Sequence, residues 1–310
     1  MGPLVGGLVT QHLGWRWIFL LNVPVGLLCL ALTALGVAES RDPRPRRVDW
    51  TGQVLLTGAL FLLVLGLLRG NDAGWSSAGI VASLAGAGVL LVAFVAVEAV
   101  VREPMLPLGM FRNRAFTGTQ LAAFGISSSL FAVFLYITLY LQGVLGLSPV
   151  QAGAAYLPAT VLMFVVAGAT AQLLDRVPAG LALAGSLGVV AVGLALGTLA
   201  GVHSSWWATL PGTMLACGGA GVFNPVMSGL VLSESSAEQA GLAAGVNDSF
   251  RQTGIAVGVA ALGVLVPASS AFGGDPAAYV TGYHHALLVG AGVAAVGAVL
   301  AAVLVRAPRS

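Results

Sequence analysis

The sequence predicts an all-α polytopic membrane protein with nine full spans and one partial span. Three observations predict it. The 310 residues are 58% hydrophobic and only 8% charged, where a soluble domain carries about 25% charged residues; so much apolar surface requires lipid as its solvent. The apolar residues also run continuously for about 20 residues at a time, the length a helix needs to cross. They do not alternate as strands of a membrane barrel would. Finally, arginine returns in every second connection, the pattern of loops that alternate across a bilayer.

The chain opens with GPLVGG. Residues 2–12 would make only about 17 Å of helix, against a hydrocarbon core about 30 Å thick. This half-helix predicts the C-terminal portion of something longer, from a misplaced start or a broken gene. Full spans are predicted at 16–37, 51–69, 78–100, 116–141, 151–173, 179–200, 206–231, 252–270 and 284–305. The loop before the second holds Arg41, Arg44, Arg46 and Arg47, and the next, 71–77, holds no basic residue. Arg102, Arg112 and Arg114 follow, then the bare 143–150; Asp175-Arg176, then the bare 201–205; Arg251, then the bare 273–279; the tail carries Arg306 and Arg309. Basic loops face the cytoplasm, which puts the C-terminus there and the chain in the plasma (inner) membrane. Trp15, Trp17, Trp50, Trp75, Trp206 and Trp207 lie at span ends, as an aromatic belt requires.

Composition also excludes whole classes of function. A net charge of +2 is too small for a nucleic-acid partner. Cys29 and Cys217 sit in apolar runs, with no disulfide framework and no metal-ligand spacing. HExxH is absent and no buried Ser/His pair stands out, so an intramembrane enzyme is not expected.

Gly2 and Gly6 share a helix face, which Gly7 widens, and small residues at this spacing let helices approach closely. Pro3 is expected to kink the helix. GPLVGG followed by WRWIFLLNVPVG resembles the junction of spans five and six in the major facilitator superfamily, in its fourteen-span drug:proton antiporter branch. Three further stretches are similar to the same branch: REPMLPLGMFRNRAF (102–116), LYLQGVLGLSPVQAGAAYLPA (139–159) and GLAAGVNDSFRQTGIAVGVA (241–260). The resemblance makes Gly2, Pro3, Gly6 and Gly7 the antiporter motif. It implies the major facilitator fold, incomplete: the end of the N-terminal bundle at 1–37, two extra central spans with their loops at 38–115, and a C-terminal six-helix bundle at 116–310. It implies export of a small hydrophobic or cationic drug, driven by the proton gradient with no cofactor, by a monomer in the bilayer. The competing reading is a non-transporting remnant.

Charge inside a span is costly and usually functional. Glu98 is the acid well inside an apolar run. It lies about 27 Å of helix past Ile80, so it reads as an interfacial charge paired with Arg102. No span offers a proton carrier. In the family that role lies in spans this chain lacks, so the chain as written is expected not to couple export to protons. Asp175-Arg176 resembles a reduced copy of the family's gating motif, or is a simple span cap. Asn247 and Arg251 share a helix face. The resemblance marks Arg251-Gln252 as a signature, read here as a structural latch. Arg16, Asn22 and Pro24 read as structural glue, with Asn22 free to bond a neighbouring helix. Gln120, Tyr136, Tyr140, Tyr156, Asn224 and Met227 are the substrate-cavity candidates, each weighed against ordinary packing.

Overall fold

The computed structural model describes residues 2–36, 48–173, 177–236, 239–267 and 270–305, except for the side chains of 171–173. Asp175, Arg176 and the arginines of 41–47 lie outside the described residues. Those described form helices joined by short turns, with no strand among them. They are α1 (Gly2–His12), α2 (Arg16–Gly36), α3 (Trp50–Ala73), α4 (Ala78–Val100), α5 (Arg114–Ile126), α6 (Ala132–Leu139), α7 (Pro149–Ala155), α8 (Leu157–Leu173), α9 (Ala179–Leu196), α10 (Leu210–Ser233), α11 (Ala240–Gly263) and α12 (Pro276–Leu304). Among the described residues, eight helical stretches are long and apolar enough to cross a membrane.

The predicted span 252–270 is where the structure differs most. The helix there is α11, which starts at Ala240 and ends at Gly263. Asn247, Asp248, Ser249 and Arg251 lie along it instead of before it, and their polarity masks the helix in a hydropathy reading. The last span also starts earlier, at Pro276 and not at 284. Asp275 accepts from the Ala277 amide and caps α12 there. Two breaks were not predicted. Ser127–Phe131 and Tyr140–Val144 wind as π turns, one on each side of α6, inside a helical stretch that runs from Arg114 to Val144.

The helices are apolar on all sides, so packing is set by small residues more than by an apolar stripe. Between α9 and α10, a Cβ on Gly193 would lie 2.5 Å from the Ala216 amide nitrogen, and one on Gly219 would lie 2.7 Å from the Ser186 carbonyl oxygen. Such contacts bring α5 to α12 around one continuous core that includes Ile126, Tyr136, Leu187, Phe223 and Tyr283. A second cluster of Phe116, Val231, Ala243 and Val246 closes the end of the bundle where α5 and α11 begin. By contrast, α2 buries none of its residues. Its leucines and valines face outward, as a helix bathed in lipid must.

Candidate functional site

Helix α1, which carries the GPLVGG glycines, packs against α7, and glycine makes the contact on both sides. A Cβ on Gly7 would drive into the Pro149 carbonyl and stand 3.2 Å from the Val150 Cα. Facing it, a Cβ on Gly153 would lie 2.5 Å from the Pro3 carbonyl oxygen and 3.0 Å from the Leu4 Cα. Gly2 and Gly6 have nothing within 4 Å of an added Cβ. The close approach therefore runs through Gly7 and the backbone of Pro3 and Leu4, not through the Gly2/Gly6 pair read from spacing. Pro3 stands in the first turn of the described helix. Gln11 completes the seam: its side-chain oxygen accepts from the Val150 amide at 3.2 Å. That amide belongs to the first turn of α7, whose donors have no partner within the helix. Ser148 and Gln151 cap the same turn reciprocally.

A second junction joins α5 to α11, which run in parallel register. Asn247 donates through Nδ2 to the side-chain oxygen of Gln120 at 2.9 Å, and both residues are buried. One turn on, the Nε of Arg251 is buried without a hydrogen-bond partner, as are Gln120 Nε2 and Ser127 Oγ. A Cβ on Gly254 would lie 2.8 Å from the Phe124 carbonyl oxygen, and one on Gly258 would lie 2.5 Å from that of Ser128. Gly258 thus abuts the first π turn, where Ser128 donates to the Phe124 carbonyl at 2.8 Å. This Gly254/Gly258 face was missed in the sequence, although its small-xxx-small spacing was there to read. Gln252 is exposed. Replacing either Gln120 or Asn247 with leucine is expected to cost about 1 kcal/mol, with a coupling near ~0.6 kcal/mol in a double-mutant cycle followed by thermal unfolding.

The remaining predicted residues are dispersed. Tyr136 donates to the Val259 carbonyl, and Tyr279 donates to the Tyr136 carbonyl at 2.8 Å. Tyr140 donates to the Gly201 carbonyl at 2.7 Å and stacks on Tyr283. Tyr156 shares a 2.9 Å hydrogen bond with Thr138 and meets Phe134 edge-on. These hydroxyls tie helices together in the core. Met227 is buried beside them. Asn224 donates to Ala220 in its own helix, and its side-chain oxygen is buried without a partner. An apolar groove of about 370 Å³ between α8, α9 and α10 is lined by Val166, Thr170, Leu181, Ser186 and Val222, among others; none of the six cavity candidates lines it. Arg16 lies over the Trp15 ring at 4.9 Å. Asn22 donates to Ile18 of its own helix at 3.1 Å and not to a neighbour, and α2 continues through Pro24. Glu98 does not use Arg102 as its hydrogen-bond partner. It is 3% exposed, and its Oε2 accepts from the Leu106 amide at 3.0 Å. No group of three or more His, Cys, Asp or Glu that could hold a metal occurs among the described residues.

Among known proteins, residues 1–259 match the sequence model of the Major Facilitator Superfamily. The chain is 36% identical over 275 residues to a tetracenomycin C resistance and export protein of Streptomyces glaucescens, covering 86% of this chain and 49% of that one. It is 35% identical to a puromycin resistance protein of Streptomyces alboniger, covering 98% and 63%. It is 33% identical to the drug efflux pump JefA of Mycobacterium tuberculosis, covering 86% and 52%. The chain thus spans about half to two thirds of the length of these relatives.

Proposed function

The chain belongs to the major facilitator superfamily, a family of multi-pass membrane transporters, and from that premise we propose that it serves the export of hydrophobic or cationic drugs or antibiotics by proton antiport. In this reading it forms the end of span five and spans six to fourteen of a fourteen-span exporter. It works as a monomer in the plasma membrane, with its C-terminus in the cytoplasm and the proton gradient as its energy source. The observation that carries the reading is the α1–α7 seam. The helix with the antiporter motif is held at backbone contact to the helix that follows the first span of the bundle, by one glycine from each side. An alternating-access transporter needs this kind of joint between its halves. A dry, close contact seals one side, and a wedge as small as a methyl group opens it. The names of the relatives support a drug as the cargo.

The test is efflux of a fluorescent lipophilic cation from cells carrying the gene with its upstream DNA in frame. Export that stops when an uncoupler collapses the proton gradient is expected. Absence of export from the full reading frame would overturn the proposal in favour of a non-transporting remnant. Export that survives the uncoupler would overturn proton antiport alone.

A further inference from the structure

We propose that Asp49 and Glu98 together form a proton-binding site where the start of α3 meets the end of α4, away from the turn that connects the two helices, holding one proton between their carboxyl groups. Asp49 caps α3: its Oδ1 accepts from the Gly52 amide at 2.8 Å. Glu98 closes the far end of α4, and its Oε2 accepts from the Leu106 amide at 3.0 Å. Each carboxyl group therefore has one oxygen bound to a backbone donor. The other two oxygens, Asp49 Oδ2 and Glu98 Oε1, are buried and have no hydrogen-bond partner. They converge on one spot. Both lie 2.7 Å from a single point, the position a Cβ on Gly52 would take, so they are at most twice that distance apart. Glycine at 52 is what lets them converge.

Two carboxylates that converge on one point, with Glu98 only 3% exposed, repel each other when both are charged, and the repulsion is relieved by a cation or by a shared proton between them. The described charged groups around the pair supply no cation. Arg102 and Glu103, on the segment after α4, are exposed. The α11 helix hydrogen-bonds α3 at the opposite end, Asn71 Nδ2 to the Val264 carbonyl. A proton taken from water meets the need. It forms an O–H on one carboxyl, which donates to the free oxygen of the other, and both orphaned oxygens are then satisfied. The site also has a mechanical connection. Glu98 holds Leu106, and the segment from Leu106 runs through Met110 and Phe111 into α5, the first helix of the bundle. Losing the proton would set two negative charges against each other at the root of that segment.

The experiment is infrared spectroscopy of the full chain reconstituted in lipid at neutral pH, read without any substrate. One protonated-carboxyl band is expected in the wild type, absent from both Glu98→Gln and Asp49→Asn. The amides are near-isosteric, and an unchanged amide-I band checks that each variant is folded. A band that persists in Glu98→Gln would overturn the proposal, as would the lack of any band in the wild type. The readout does not depend on export, so a transport failure leaves it intact.

Discussion

In the proposed exporter, replacing Gly7 with valine is expected to reduce efflux about tenfold or more, while Gly6→Ala and Gly2→Ala stay within about twofold of wild type. All three glycines belong to the same motif, but only Gly7 touches α7. Its new side chain would meet the Pro149 carbonyl and the Val150 Cα, which are backbone atoms and cannot swing aside. The seam must open. Overpacking of this kind costs about 1–3 kcal/mol, and about 1.4 kcal/mol is a tenfold shift in a conformational equilibrium. Gly153→Val should give the same defect from the other side, through the Pro3 carbonyl. Because both substitutions open the same seam, the double variant should be little worse than either single one. Efflux rates normalised to membrane expression check this. Equal losses at Gly6 and Gly7 would refute the assignment of the contact.

Gly258→Val will destabilise the bundle itself by about 1–3 kcal/mol. A Cβ there would lie 2.5 Å from the Ser128 carbonyl oxygen and 2.6 Å from its Cα, so α11 must retreat from α5. The Gln120–Asn247 hydrogen bond lies along the same junction and should weaken with it. Cys217 provides the measurement. It is a free thiol, fully buried in the core, and it reacts with a thiol probe only when the bundle opens. On a Cys29→Ala background, heating the variant should expose Cys217 several degrees below the wild type. Gly292→Val, on α12 with nothing within 4 Å of an added Cβ, should melt as the wild type does.

Much of this architecture was legible in the sequence, for a physical reason. A helix surrounded by lipid is apolar on every face, so its extent can be counted directly. The span predicted at 78–100 is the helix Ala78–Val100. Counting failed where a helix has polar partners inside the protein. Asn247 and Arg251 belong to α11 because Gln120 and the neighbouring backbone receive that helix, which hydropathy cannot register. The glycines of GPLVGG were legible as a close-packing set. Which of them makes the contact depends on the rotation of α1 about its axis, and that is fixed by Pro149 and Gly153, far along the chain. Glu98 could be placed by its distance along α4, but the acid it faces comes from the start of another helix. The π turns leave only a faint trace, in the run Ser127–Ser129, whose hydroxyls can follow carbonyls in a loosened turn.

Those π turns have a geometric consequence. Each holds one residue more than an α turn would. If the first tightened to α, everything beyond it along α6 would turn by about 100° and rise by about 1.5 Å, one residue's step on a helix. Tyr136 and Tyr140, which bridge to α11 and to the turn at Gly201, lie beyond the first of them. The span is thus a screw with two spare threads, able to advance a notch while the helix on either side stays wound.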